Sequence, residues 1–369
     1  MNTPSSVLVI ATRRIGDVLL TTPLIRSIKR AWPNAAIDAL VFEGTQGILA
    51  GNPDLRRVIA IAERPSHFAH LRFIASLWGK YEVALSTMPG DRPTMYAWAV
   101  GQWRAGILNA GMKSYWKRLL LSDWRAQEDR DAHATTQSLM LADLLKIPRR
   151  HDVVVSWSHV DAQVVDQEFP SDAASFAVLH IFPKFNYKMW HEDGWLALAQ
   201  WLANNGLVVV LSGSGAADEM VQVDRLAKRM PASTINLAGR FTLNQTAYLI
   251  SRARLYTGPD TVTTHMAAAL GVPTIALFGP SDPQKWGPWP KGHVSDASPY
   301  RLKGTQRLRN VYLLQGEGHC VPCLLEGCDR HIASFSDCLQ QLPAARVIAA
   351  AQEMLKEDYK AGGTLSNLH

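Results

Sequence analysis

Short, nearly unbroken apolar runs alternate along this chain with stretches whose apolar residues recur every three to four positions. Residues 6–11, 37–41, 58–61 and 83–86 read as strands, and 24–32 and 68–78 read as helices. In the first of these helices Ile25, Ile28 and Trp32 share one face, while Arg26, Lys29 and Arg30 fall on others. The alternation restarts near Phe176. Residues 177–181, 207–211, 255–257 and 274–278 are almost wholly apolar, as strands become when helices cover both faces of a parallel sheet. Between the first two of these runs, Trp195, Leu198 and Leu202 line one side of a helix. Strand–helix alternation implies a parallel α/β sheet, and its restart implies two. The expected division is a first domain over 1–165, a second over 166–343 and a last helix (about 344–355) with its tail over 344–369. The stretch 147–174, with Pro148, Arg149, Arg150 and Pro170, is the expected linker. In such folds ligands bind in the loops after the carboxyl ends of strands.

The 369 residues suit two or three domains, and 47 % hydrophobic against 19 % charged is a globular balance that excludes a disordered tail or fibre. The net charge of +6 is unevenly placed: residues 1–165 hold 20 Lys or Arg against 14 Asp or Glu, whereas 166–369 hold 18 of each. An anionic partner for the front half follows. The apolar run from Val7 to Ala11 precedes Arg13 and Arg14, the reverse of a secretion signal, and the run over 266–278 is broken by Gly271 and Pro273. The expectation is a cytoplasmic chain, able to touch a membrane surface from one side. Four cysteines crowded between 320 and 338 are too few and too local to staple a secreted fold.

Five constellations carry candidate chemistry. After the first strand, Gly16 allows a tight turn or a close backbone approach, and Asp17 sits at a helix start. Asp17 there would satisfy backbone donors and the helix dipole, as an aspartate at a helix start commonly does. No G-x-G-x-x-G follows the strand, so this is not a dinucleotide fingerprint. Near residue 260, Gly258-Pro259 turns the chain into a helix led by Asp260, Thr261, Thr263, Thr264 and His265, which ends at Gly271 and Pro273. Its hydroxyls and backbone N–H groups would cradle a diphosphate. An ordinary capped helix explains the threonines but not His265. Lys188, three residues after Phe185, could reach a phosphate, and Trp190 reads as packing. Cys320, Cys323, Cys328 and Cys338 could bind a structural zinc, or be buried free thiols, or form a local disulfide. Finally, Lys113-Ser114-Tyr115-Trp116-Lys117-Arg118, with Trp124 and Arg125, mixes cations with aromatics as an anionic lipid surface would require, although solvated helix faces produce such runs too. No nucleic-acid motif is present.

Taken together these segments resemble the bacterial ADP-heptose:lipopolysaccharide heptosyltransferases of glycosyltransferase family 9, over nearly the whole chain. The likeness lies in Val7-Leu8-Val9-Ile10 followed by Ile15-Gly16-Asp17-Val18-Leu19-Leu20-Thr21-Thr22-Pro23, in Lys188-Met189-Trp190, and in Asp260-Thr261-x-x-Thr264-His265-x-Ala267-Ala268-Ala269 followed by Leu277-Phe278-Gly279-Pro280-Ser281-Asp282-Pro283. The stretch from Leu40 to Pro53 is closest to the branch that adds the third core heptose. The resemblance implies a GT-B architecture, two Rossmann-like domains facing across a cleft, with acceptor on the first and sugar nucleotide on the second. It implies inverting transfer of heptose from ADP-heptose to a lipid A–core acceptor at the inner face of the inner membrane, with no metal cofactor required. Asp17 would be the base and Gly16 part of its loop. Lys188 and the helix start at 261–264 would hold the leaving diphosphate, with Asp260 and His265 beside them. Asp218 or Glu219 would meet the ribose. Where the family usually has Gly two residues after the motif Asp, this chain has Val262, whose β-branch forbids a positive φ and narrows the approach. A protein O-heptosyltransferase, a transferase using another nucleotide sugar, a non-hydrolysing epimerase and a non-catalytic nucleotide-binding module are the alternatives. The epimerase would need a second acid/base set, which is not evident. The module would have no need of Asp17.

Overall fold

A computed structural model describes residues 3–127, 132–169 and 175–363. These residues form two compact units, one running to Ser156 and also taking in Gly292–Ser298, the other made of Trp157–Lys291 and the chain from Pro299 onward. Asp296 shows why the short insert belongs to the first unit: its carboxylate accepts from Arg149 at 2.8 Å and pairs with His151 Nε2 at 2.7 Å.

The first unit carries strands β1 (Ser6–Ile10), β2 (Ala36–Phe42), β3 (Arg57–Ile61), β4 (Tyr81–Ser86), β5 (Gly101–Leu108) and β6 (Asp123–Ala126). They pair in parallel in the order β3-β2-β1-β4-β5-β6, the doubly wound arrangement. Its helices are α1 (Ile15–Leu19), α2 (Thr22–Ala31), α3 (His67–Leu77), α4 (Asp91–Val100), α5 (Tyr115–Leu120) and α6 (Ala134–Leu144). The apolar run of β1 explains the layering. Val7 and Val9 pack with Ile25 and Ile28 of α2 and Leu139 of α6, while Leu8 and Ile10 pack with Leu77 of α3 and Tyr96 of α4. A strand buried on both faces has no polar side to show.

The second unit carries α7 (His159–Glu168), β7 (Phe176–His180), α8 (Glu192–Asn204), β8 (Val208–Ser212), α9 (Ala217–Ala227), β9 (Ile235–Asn236), α10 (Leu243–Ser251), β10 (Leu255–Pro259), α11 (Val262–Leu270), β11 (Thr274–Phe278), α12 (Pro283–Trp286), β12 (Gln306–Leu308), β13 (Val311–Gln315), α13 (Asp337–Gln340) and α14 (Ala344–Gly363). The sheet order is β12-β13-β11-β10-β7-β8-β9, with β12 antiparallel to β13 and the other pairings parallel. Ala177 and Leu179 of β7 face α8 and α14, and Phe176 and Val178 face α7 and α10.

Two features depart from the sequence-based expectation. The segment read as a linker contains α7, started by a capping box between Ser158 and Asp161 and seated by the fully buried Val165. One buried residue in ten leaves no visible apolar period, so only the cap could have announced this helix. The division between units falls after Ser156 rather than near 165, and the helix expected over 344–355 extends to Gly363. Pro170 and the tail beyond 363 lie outside the described residues.

Asp38, fully buried in β2, accepts from Arg56 Nε at 2.9 Å and Nη2 at 2.6 Å, from Arg57 Nε at 2.8 Å and from Tyr81 Oη at 2.5 Å. Burial opposes its charge, but the hydrogen bonds from Arg56, Tyr81 and Arg57 outweigh this and hold the carboxyl below its ordinary value. A folded value below the unfolded one means that the stabilisation is present above the unfolded pKa and is lost as pH falls through the folded one. Asp38→Asn is therefore expected to cost about 2 kcal/mol in urea unfolding at pH 7, the half-exposed guanidinium groups being screened, with the difference from wild type shrinking below about pH 4.

Candidate functional site

In the second unit, the carboxyl end of β10 leads straight into α11. Gly258 is required by packing, because a Cβ there would come within 2.4 Å of Tyr256 Oη. Fully buried Ala267 and Ala268 let α11 lie against the sheet, and Gly271, at φ +88°, ends the helix in the left-handed region. Asp260 sits in the turn with its carboxylate buried. Lys188 Nζ donates to Asp260 Oδ2 at 2.5 Å and to the Asp260 carbonyl at 3.1 Å, and His265 Nε2 lies 3.7 Å from Oδ1, beyond hydrogen-bond length. Burial would raise the Asp260 carboxyl, but the Lys188 charge and His265 overcome this and hold it well below the carboxylate range. The Nδ1 of His265 is buried and makes no hydrogen bond among the described residues.

The threonines differ in role from what their pattern suggests. Thr263 and Thr264 are buried and turned inward: Tyr256 Oη lies 2.8 Å from Thr263 Oγ1 and 3.1 Å from Thr264 Oγ1, and Thr264 Oγ1 donates to the Pro259 carbonyl at 2.5 Å. Thr261 Oγ1 joins the same network at 3.0 Å from Thr263 Oγ1, so it makes no capping bond to the first turn of α11. These hydroxyls brace the turn instead of lining a cradle. Val262 is the first residue of α11 and is not among the described positive-φ residues, so glycine is not needed there for its backbone angle.

Lys188 reaches this turn from a short 3-10 segment, Asn186–Lys188, after β7. Trp190 fixes the loop. It is buried, meets Trp195 edge-on with ring centres 5.0 Å apart, donates from Nε1 to the Leu342 carbonyl at 2.8 Å, and lies where a Cβ on Gly194 would be only 2.3 Å from its ring. Ser336 Oγ donates to Tyr187 O at 2.7 Å and Gln340 Nε2 to Met189 O at 2.8 Å. The end of the cysteine-bearing segment thus clamps the lysine loop on both sides.

The cysteines are free thiols. Burial and the neighbouring Cys323, Cys328 and Cys320 push the Cys338 thiol up to about 12. Among the described residues no set of three or more His, Cys, Asp or Glu side chains is arranged to hold a metal ion.

At the neighbouring strand ends, Glu219 closes its own loop, accepting from Ser214 N at 2.7 Å and from Ser214 Oγ, while Asp218 stays exposed in the first turn of α9. Sequence reasoning missed His180. It ends β7, buried, with Nδ1 3.2 Å from Ser212 Oγ at the end of β8, and burial lowers its pKa against the pull of Glu219. A histidine closing an otherwise apolar strand was the signal available. Asp282 is a helix cap, accepting from Gln284 N at 2.8 Å and Lys285 N at 3.3 Å.

In the first unit, Asp17 is half-buried in the first turn of α1, on the loop that leaves the carboxyl end of β1. Gly16 is inside α1 and is not among the described glycines of positive φ, so the tight-turn reading of it does not hold. Beside this loop is a cavity of about 310 Å³ whose lining includes Thr12, Arg13, Phe42 and Arg92. Thr12 Oγ1 is buried and has no hydrogen-bond partner among the described residues.

Residues 99–303, more than half of the chain, match the family described as glycosyltransferase family 9 (heptosyltransferase). Lipopolysaccharide heptosyltransferase 3 of Escherichia coli K12 is 25 % identical over 93 % of this chain and 96 % of that protein. The glycosyl transferase family 9 structure from Veillonella parvula superposes with a TM-score of 0.77 at 19 % identity, over 97 % of this chain and 99 % of that one. The E. coli heptosyltransferase WaaC with ADP gives a TM-score of 0.72 at 22 % identity, over 95 % and 99 %. The architecture is GT-B, with two Rossmann-like units.

Lys188→Met strands the Asp260 carboxylate without its cation. At pH 7 the variant is expected to lose about 3–5 kcal/mol in urea unfolding. Without the ammonium, burial raises the Asp260 pKa, and the neutral acid needs no counter-charge, so the loss should shrink at about pH 5. An equal loss at both pH values would mean that the pair is not what the turn depends on.

Proposed function

Because the chain belongs to glycosyltransferase family 9 (heptosyltransferase), we propose that it moves a heptose from ADP-heptose to a sugar hydroxyl of the lipopolysaccharide inner core, with inversion at the anomeric carbon. The observation that carries this reading is the Lys188–Asp260–His265 set at the start of α11. A diphosphate leaving group develops negative charge as the glycosidic bond breaks, and fixed cations and oriented N–H groups stabilise that charge. Lys188 has three N–H donors, of which two are spent on Asp260. The third, with the first-turn amides of α11 and His265 Nδ1, receives the diphosphate or the donor sugar. Asp260 is a positioning residue. It holds the ammonium where the phosphates arrive and does not itself touch them. Asp218, exposed at the start of α9, meets the ribose, whereas Glu219 is committed to its own loop.

Asp17 is the general base. The acceptor hydroxyl oxygen attacks the anomeric carbon, its proton passes to the Asp17 carboxylate, and the bond to ADP breaks with its electron pair going to the diphosphate. The cavity lined by Thr12 and Arg13, on the loop that leads to Asp17, offers Arg13 and Arg92 as cations to an acceptor that bears anionic groups, with Asp91 as the acidic residue in its lining. The relation to lipopolysaccharide heptosyltransferase 3 supports the lipid A–core acceptor. Among the described residues no helix is long and apolar enough to cross a membrane, so an enzyme acting on that acceptor meets the inner face of the inner membrane from one side.

Asp17→Asn is expected to lower kcat by about 10²–10⁴-fold, measured by ADP release with a core acceptor, while calorimetry shows unchanged affinity for ADP. Full transfer by this variant would remove Asp17 as the base.

A further inference from the structure

An amphipathic helix on a globular surface needs one apolar stripe, facing the core. α3 has two. Phe73, Ile74 and Leu77 pack inward against the first unit's core. Phe68, Leu71, Ala75 and Trp78, spaced three, four and three apart, fall together on the opposite face and are exposed, Phe68 by 78 % and Leu71 by 67 %. This outward stripe continues across the neighbouring helices. α3 packs on α4 and α4 on α5. The Trp78 ring meets exposed Trp98 of α4 edge-on at 5.5 Å, and Lys117 of α5 is tied to Asp91 of α4 at 2.6 Å. Beyond that tie stand Met112 (92 % exposed), Tyr115 and Leu119 (74 %). Lys117, counted from the sequence among the surface cations, is buried in that pair, and Arg118 stacks over Trp124 at 4.2 Å.

The charge around this apolar face is one-sided. Residues 64–125 contain nine Lys or Arg (64, 72, 80, 92, 104, 113, 117, 118, 125) and three Asp or Glu (82, 91, 123), so this stretch has a net charge of 9 − 3 = +6, equal to that of the whole chain. Lys113, Arg72 and Lys80 are exposed. Large apolar and aromatic side chains accompanied by the exposed cations Arg72, Lys80 and Lys113 match the two layers of an anionic bilayer surface, acyl boundary and phosphate headgroups. We propose that the outer face of α3, α4 and α5 is a docking surface for an anionic phospholipid bilayer. The proposal rests on the reading of a lipid-linked acceptor and names the part of the chain that meets the membrane.

The test is cosedimentation of the full chain with vesicles of phosphatidylglycerol and phosphatidylethanolamine, against vesicles of phosphatidylcholine alone, in parallel with transfer from ADP-heptose to a lipid-free core oligosaccharide. Wild type is expected to bind the anionic vesicles at least about tenfold more tightly, and less so in 0.5 M salt. The double variant Phe68→Ser/Leu71→Ser should lose about tenfold in vesicle binding, and so should Arg72→Glu/Lys113→Glu, with transfer to the lipid-free core unchanged. Vesicle binding at wild-type level by both double variants overturns the proposal. So does a wild-type dimer that Phe68→Ser/Leu71→Ser converts to monomer, because the face would then join two copies of the chain. Vesicle binding by wild type without any transfer to the lipid-free core would sink the heptosyltransferase reading and leave the docking surface standing.

Discussion

A carboxylate shut away from water has to be matched by a cation, and in the second unit that requirement organises everything around it. Asp260 is buried at the carboxyl end of β10, and its counter-charge comes from Lys188, 72 residues earlier in the chain. For the ammonium to arrive there, the loop after β7 must be rigid. Trp190, held by Leu342 and Trp195, and the bonds from Ser336 and Gln340 to the loop carbonyls supply that rigidity. Three separate stretches are therefore committed to placing one ammonium. Since the pair is close to neutral as a unit, the proposed attraction for a diphosphate depends on what the pair leaves over, the remaining Lys188 donor, the first-turn amides and His265.

The parts of the fold legible in the sequence are those where burial is uniform. β1, β2, β7, β8 and β11 lie between helices on both faces, so each is a near-continuous apolar run that periodicity cannot hide. β5 was missed because its first half, Gly101 to Arg104, holds Gln102 and Arg104, and β6 is only four residues with a polar start. α7 buries a single residue. The return of 292–298 to the first unit rests on Asp296 meeting Arg149 and His151, an ion cluster that no local pattern announces. α3 was found by its apolar content, but its two apolar faces could not be told apart before the core showed which one was inside.

For the candidate site, residue types were easier to read than their duties. The cluster at 260–265 stood out because His265 had no structural reason to be at a helix start. Yet counting hydroxyls there overstated the cradle, because Tyr256, in the strand that leads into the helix, takes Thr263 and Thr264 into its own network. Likewise Lys188 looked like a mobile charge and is a fixed one, while Asp260 looked like a ligand contact and is its fixture. A side chain's partner from a distant segment decides such roles, and spacing along one segment does not contain it.

The two units also differ in the range over which they act. The second unit's half of the sequence has no net charge, so on the proposed reading its hold on a nucleotide sugar is exerted by a few groups at contact distance and survives moderate salt. The first unit has the whole positive excess, gathered over residues 64–125, and its field extends about a Debye length, roughly 8–10 Å, into solution. A small soluble donor needs only the first kind of recognition, because diffusion brings it to the site in every orientation. On the proposed reading, a large anionic acceptor fixed in a surface benefits from the second, since the enzyme would then arrive with one face forward. The placement of charge along the chain thus divides the work as the two sheets divide the fold.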